Sequence, residues 1–434
     1  MRQVRWRGLE FDLFAVMTSS LATGGLGFLF WTLAARGFST AEVGRASAII
    51  SAATMLATLA MLSLGSMYER FLPLAGREAR RHVTGGLLLT TALAALLGIG
   101  FLLLGPRQRL FDSWSEAAWF PLCVIILAAF GLLDPILIGL RRARQVAVKN
   151  VTQSVAKLVL LATFVIASAA GSAIVAAWVV PAALVAAIVA ARVIRPQLST
   201  LVGPQNLPPR RDLLSFFLGT YAMTLVGVLV PLTVPLIIVA QLGAESNAYF
   251  NMSWLLVSTI AILIGTSSAP YIATAAADPS SIRDSTTRFV RICVGAGVAG
   301  CALLLSAGPL ILRIFGTDYA EQAGTLVRLM ALTLPFVSLM TVYSALARLH
   351  RTLRLAAAVQ WLTAAAIIGG ISATTAMWGL NAVGIVYLTV EVGAALVIAF
   401  PLARFLRAIY GSDPTTTIAH PGAHESSTGG RDSR

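Results

Sequence analysis

Apolar residues run along this chain in blocks of about twenty, each closed by a short polar turn. A helix needs about 20 apolar residues to cross the hydrocarbon of a bilayer. Twelve blocks meet that length, at approximately 11–35, 47–67, 83–104, 117–140, 151–169, 173–192, 213–240, 248–270, 290–312, 327–347, 355–376 and 381–402. The fifth and sixth are divided only by small residues around Gly171. The first follows the basic stretch Met1 to Glu10 and is too long for the core of a secretion signal, so it reads as a retained helix. Midway along the chain, 193–212 carries Pro196, Pro204, Pro208 and Pro209. It reads as a linker between two six-helix lobes, 1–200 and 201–410. The tail 411–434 is rich in Thr, Ser, Gly and Pro and is expected to be disordered.

Composition agrees with this pattern. Of 434 residues, 57% are hydrophobic and 12% charged, with a mean hydropathy of +0.83. A soluble chain is nearer half apolar and a quarter charged, so a soluble enzyme, a disordered chain and a disulfide scaffold are excluded. The formal net charge of +14 would suggest nucleic acid in a soluble domain. Here the basic residues fall in every second connection: Arg2 to Arg7, Arg70 to Arg81, Arg141 to Lys149, Arg192 to Arg211, Arg283 to Arg291, Arg348 to Arg354, then Arg404 and Arg407. The alternate connections hold only Arg36, Arg45, Arg107, Arg109, Arg313 and Arg328. This is the positive-inside pattern of an even number of spans. It predicts both termini in the cytoplasm, a multi-pass protein of a bacterial inner membrane, and no nucleic-acid partner.

The chemistry of a site is thin. The outer connections are short, which argues against a membrane glycan polymerase or ligase and against an enzyme generally. No Gly-Lys dipeptide exists, so no phosphate-cradling loop for ATP is expected. Cys123, Cys293 and Cys301 lie in apolar blocks, and the four histidines are scattered, so neither metal nor cofactor is expected.

An internal repeat is visible at a shift of 205 positions. It brings Ala35-Arg36-Gly37-Phe38 onto Ala240-Gln241-Leu242-Gly243, both as an outer turn between the first two helices of a lobe. Both lobes start from the same side, so the repeat is parallel, with its axis along the membrane normal. The same shift sets Gly24 and Gly25 of span one near the depth of Pro231 and Pro235 of span seven. Paired helix interruptions of this kind point to a binding cavity in transporters. Close helix packing and a simple proline kink explain them equally well.

The chain also resembles the oligosaccharide-lipid flippases of the multidrug/oligosaccharidyl-lipid/polysaccharide superfamily. More narrowly, it is similar to bacterial transporters of lipopolysaccharide and polysaccharide biosynthesis. The resemblance rests on Gly27-Phe28-Leu29-Phe30-Trp31 through Ala34-Ala35-Arg36 to Ala41-Glu42-Val43-Gly44, and on Glu69-Arg70-Phe71-Leu72-Pro73. It continues with Asp134-Pro135, Gly139-Leu140-Arg141-Arg142-Ala143, Asn150 and Lys157. In the second half it rests on Leu242-Gly243, Asn247-Ala248-Tyr249-Phe250, Phe315-Gly316 and Tyr319-Ala320. It covers about 1–410. It implies an all-α, MATE-like fold of twelve helices in two lobes around a central cavity, with alternating access. The implied cargo is a polyprenyl-diphosphate oligosaccharide, moved between leaflets for envelope polysaccharide assembly. Membrane lipids and glycan-assembly enzymes are the implied partners.

A diphosphate left bare in hydrocarbon would cost on the order of tens of kcal/mol. A cation-lined aqueous cavity removes most of that cost. Arg36, Arg45 and Arg70 are therefore candidates for head-group contact, since the guanidinium fork suits phosphate; solvated or anchoring arginines are the plain alternative. Asp134 and Lys157 lie equidistant from the polar centre of the turn between spans four and five, which predicts an ion pair across that hairpin, structural or coupling. Intramembrane charge is costly and marks function by default. Glu391 stands near the middle of span twelve with no basic residue close in its own helix, either as a coupling acid or as a neutral acid near Gln360. Asn247, Tyr249, Asn251 and Trp254 open span eight and suit sugar contact or an interfacial belt. A cation-coupled exporter of small molecules and a non-transporting scaffold are the remaining alternatives.

Overall fold

The computed structural model describes residues 22–105, 107–201, 203–204, 207–277, 282–350 and 352–411. The basic start Met1 to Glu10 and the tail 412–434 lie outside the described residues. All regular structure among the described residues is helical. The helices are α1 (22–37), α2 (Thr40–Ala60), α3 (Leu64–Phe71), α4 (Ala79–Leu104), α5 (Arg107–Leu110), α6 (Trp114–Ala118), α7 (Phe120–Gly139), α8 (Ala143–Ile166) and α9 (Ser172–Val189). They continue as α10 (Arg195–Ser199), α11 (Arg210–Leu242), α12 (Ala244–Thr266), α13 (Ser268–Ala277), α14 (Ile282–Leu312), α15 (Thr317–Ala331), α16 (Leu334–Leu349), α17 (Leu353–Trp378) and α18 (Asn381–Gly411).

Eleven stretches of the described residues are long and apolar enough to cross a membrane. The first expected span, 11–35, is described only from residue 22, where it is helical. The protein is an all-α, multi-pass membrane protein. Exposed Leu104, Ile166, Leu396 and Phe400 form part of the apolar exterior that a bilayer would cover.

Local chemistry sets the helix ends. Ser39 caps α2 with a capping box: its backbone N–H donates to Glu42 Oε2 at 2.9 Å, and its hydroxyl accepts from the Glu42 N–H at 3.4 Å. Glu42 Oε1 also accepts from the Gly171 N–H at 2.9 Å, tying the start of α2 to the start of α9. The matching connection between α11 and α12 is the single residue Gly243, whose φ of 89° needs glycine. The shift of 205 carries the last residue of α1, Gly37, onto the last residue of α11, Leu242.

Two boundaries differ from the sequence expectation. The expected linker 193–212 is helical at both ends. The chain leaves α9 through a wide turn at Ala190–Ile194 and continues as α10 to Ser199. Pro196 sits in the first turn of α10, directly after the wide turn. The tenth span begins not near 327 but at Thr317, because α15 is amphipathic and its polar first turns escaped a search for apolar runs.

The largest buried cluster joins the two halves, with Phe30, Trp31 and Ile174 from the first and Val234, Phe250 and Leu326 from the second. At the end holding Gly37 and Leu242 the halves are tied directly. Arg36 donates from Nε to the Ile314 carbonyl at 2.8 Å and from Nη2 to the Arg313 carbonyl at 3.1 Å. Arg109 donates to the Ala240 carbonyl. Helices α2 and α12 cross so closely that a side chain on Gly44 would collide with the Ala244 carbonyl. At the other, arginine-rich end, Ser63 donates to the Thr224 hydroxyl at 3.2 Å and Arg70 lies 4.7 Å over the Phe216 ring.

Candidate functional site

Within the second half, α11, α12, α16, α17 and α18 line an open-sided chamber of about 620 Å³. That volume falls in the roughly 300–1,000 Å³ range of ligand pockets. Tyr387 and Glu391 project from α18 one turn apart, and so from one face. Gln360 and Thr363 join them from the adjacent α17, three positions apart. Trp254 comes from α12, with its ring centroid 5.7 Å from that of Tyr387 and the planes inclined by 40°. Arg348, exposed near the last turn of α16, stands at the chamber's edge toward the arginine-rich end. Glu391 and Arg348 are the charged residues of the lining. The Tyr387 hydroxyl is buried without a hydrogen-bond partner among the described residues, on a residue only 5% exposed.

The wall of α11 shows what the prolines do. The helix runs unbroken through Pro231 and Pro235, and α1 runs unbroken through Gly24 and Gly25, so none of the four interrupts its helix. Pro231 nevertheless has no N–H to give to the Gly227 carbonyl one turn earlier, and both residues line the chamber. Pro235 is buried outside the lining. Among the described residues, nothing lies within 4 Å of where a Cβ on Gly24 or Gly25 would sit.

In the first half the expected pairing of Asp134 with Lys157 is corrected. Asp134 Oδ1 pairs with Lys149 Nζ at 2.8 Å, and Asn150 Nδ2 donates to Asp134 Oδ2 at 3.2 Å. Lys149 also donates to the Phe130 carbonyl at 2.9 Å and sits 3.3 Å over that ring, fully buried. The reason is the position of the turn. It occupies only Leu140 to Arg142, with Arg141 at a φ of 59°, so α8 has already begun within the polar stretch that looked like a loop. The antiparallel partner of Asp134 is therefore Lys149. Lys157 lies two turns farther along α8, about 12 Å away at 1.5 Å per residue. Its ammonium rests 3.6 Å over the Trp178 ring and 5.4 Å from that of Phe30. It is 5% exposed and has no carboxylate partner among the described residues.

The other candidates scatter. Arg36 caps carbonyls at the end of α14, Arg45 pairs with Asp112, and Arg70 stacks on Phe216 and Phe71. Asn247 is fully buried in the α2–α12 crossing, where Nδ2 donates to the Gly44 carbonyl and to Ser47 Oγ, each at 2.8 Å. Asn251, one turn on, has a buried amide nitrogen without a partner among the described residues. Neither asparagine lines the chamber in this conformation. Of the expected residues, the chamber brings together Glu391, Gln360, Trp254 and Pro231. Sequence reasoning missed Tyr387, Arg348 and Lys149. Glu391 lies four residues past Tyr387, and that spacing was the available signal for the tyrosine.

The all-helical architecture, with eleven membrane-length stretches among the described residues and a buried core joining its two halves, defines the class: this is the MATE fold. Solved structures agree. An inward-facing multidrug resistance MATE family transporter of the MOP superfamily superposes with a TM-score of 0.67 at 15% identity, covering 90% of this chain and 96% of that one. The lipid II flippase MurJ, in an inward closed conformation, gives 0.67 at 12% identity over 92% and 89%. An outward-facing MATE transporter gives 0.57 at 13% identity over 92% and 96%. No protein-family profile and no curated protein sequence matches the chain.

Proposed function

We propose that the protein is a transporter without chemical catalysis. It moves a lipid-linked oligosaccharide on a polyprenyl diphosphate from the cytoplasmic to the outer leaflet of a bacterial inner membrane, by alternating access. The observation that carries this reading is the charge left uncompensated in the first half. Asp134, the deep carboxylate there, is neutralised by Lys149, whereas Lys157 is a buried cation with no acid beside it among the described residues. An interior biased in that sense favours an anionic cargo over a cationic one. Arg70, exposed at the arginine-rich end and held over Phe216, suits first contact with the diphosphate. The closure between Gly44 and Ala244 supports a state shut toward the outer face. Both termini would then be cytoplasmic, and the working partners are membrane lipids and the enzymes that assemble the glycan.

A second reading is a cation-coupled exporter of small molecules. It is favoured by Glu391, a carboxylate in the chamber of the second half with no basic residue near it in α18. One experiment separates the two. Depletion of the protein in its native bacterium should make one complete lipid-linked oligosaccharide accumulate, shielded from an impermeant glycosidase added outside. Wild type should clear it on re-expression and Lys157→Met should not. An unchanged pool, in a strain where no other protein of this fold compensates, overturns the flippase reading and advances the exporter.

A further inference from the structure

We infer that the chamber of the second half is a sugar-recognition subsite. It takes an uncharged ring of the cargo glycan against Trp254 and bonds its hydroxyls to Tyr387, Glu391 and Gln360. The inference rests on the transport reading above and extends it by dividing the cargo. The diphosphate belongs to the cations of the first half and the arginine-rich end, and the glycan to this chamber.

The argument begins with an unmet hydrogen bond. The Tyr387 hydroxyl is buried and, among the described residues, unpartnered on a chamber wall. A buried polar group left so costs about 1–3 kcal/mol, and natural proteins seldom retain such a group without a use. No side chain of the surrounding lining satisfies it, and a sugar hydroxyl admitted by a small movement of the wall would. Its neighbours define what that ligand offers. An ionised Glu391 accepts only, Gln360 both donates and accepts, and the hydroxyls of Tyr387 and Thr363 do either. These groups stand on two adjacent helices, so a molecule lying against them meets polar atoms from both. Trp254 supplies an aromatic body with a polar rim. A sugar ring has that same division, with apolar C–H faces and a rim of hydroxyls that each donate and accept.

Size and charge exclude the simpler occupant. A bare cation needs oxygens closing on it at about 2.0–2.6 Å. A chamber of about 620 Å³ is room for roughly twenty waters at about 30 Å³ each, so it fits a molecule. Arg348 stands at the edge and Glu391 within, so the deep part of the lining holds no cation for a phosphate and suits an uncharged ring better.

The test uses the full-length protein in lipid nanodiscs, immobilised and presented with two probes from its native bacterium. One is the extracted pool of lipid-linked oligosaccharides; the other is the same glycans released by mild acid. Mass spectrometry reads what each protein retains. Wild type should retain one released glycan as well as its lipid-linked parent. Tyr387→Phe, which removes a single hydroxyl, should weaken retention of the released glycan about tenfold, and Trp254→Ala should abolish it, with both variants eluting and melting as folded protein. A released glycan that wild type does not retain, or that both variants retain equally well, overturns the subsite. If the lipid-linked parent is still held in that case, transport of it stands. If wild type holds neither probe, the transport reading has failed first. A sodium-dependent change in tryptophan fluorescence that Glu391→Gln removes, with glycan retention untouched, would make the chamber a cation site and overturn the proposal as well.

Discussion

Lys149 and Lys157 are the two lysines of the chain, both buried on one helix, and they have opposite surroundings. Lys149 has a carboxylate, a carbonyl and an aromatic face; Lys157 has aromatic faces alone among the described residues. This difference predicts different responses to the same substitution. Removing one member of a buried ion pair strands the other and costs about 3–5 kcal/mol, whereas replacing both together is often neutral. Lys149→Met and Asp134→Asn should each lower the melting temperature in detergent, and the double variant should recover most of the loss. Lys157→Met strands no carboxylate and should melt within a few degrees of wild type while failing to clear the lipid-linked oligosaccharide. Equal melting of Lys149→Met and wild type would show that the pair does not hold the α7–α8 hairpin. The sequence pointed to Asp134 and to a lysine, but to the wrong lysine. Where a hairpin turns depends on how few residues can reverse the chain, and a polar stretch overstates that number when a helix has already begun inside it.

At the scale of helices, most of the fold was legible. A span is long and uniformly apolar, and hydropathy reads both properties. Less legible were contacts that depend on the absence of a side chain. Gly44 looked like one glycine among 36; in the structure it sets how closely α2 approaches α12 and puts its own carbonyl within reach of Asn247. Asn247, proposed as a sugar contact, became part of that crossing for the same reason. The chamber was half legible. Glu391, Gln360 and Trp254 stand out as polar or amphipathic residues in apolar runs, while Tyr387 is one more aromatic until its hydroxyl is found without a partner. The crossing gives a prediction. Overpacking by a forced side chain costs about 1–3 kcal/mol, which shifts an equilibrium about tenfold for each 1.4 kcal/mol. Gly44→Val should therefore open this end. Ser47→Cys, 2% exposed at Ser47 in the closed form, should react with a small maleimide about tenfold faster or more in the Gly44→Val background. An unchanged rate would mean that the crossing yields elsewhere and does not control opening.

For the whole molecule, the question is whether the two halves must part at the Gly44 end for transport to occur. The ties there are of two kinds. Arg36 and Arg109 reach carbonyls of the other half from exposed positions, where water can replace them readily. Asn247 reaches Gly44 and Ser47 from a fully buried position, where each lost hydrogen bond must be matched by water entering the gap. The buried contact is therefore the one to lock. Ser47 Oγ and Asn247 Nδ2 are in direct contact across the crossing at 2.8 Å, which makes these the positions for a cysteine pair. The native thiols are remote from this crossing in sequence, and Cys293 and Cys301 are buried. Under mild oxidation, Ser47→Cys with Asn247→Cys should lose transport of the lipid-linked oligosaccharide and regain it with dithiothreitol. Each single cysteine should be insensitive to both reagents. Arrest would mean that a cycle requires this end to open. Continued transport with the cross-link shown complete by mass spectrometry would mean that cargo leaves by another route, and alternating access about this contact would have to be abandoned.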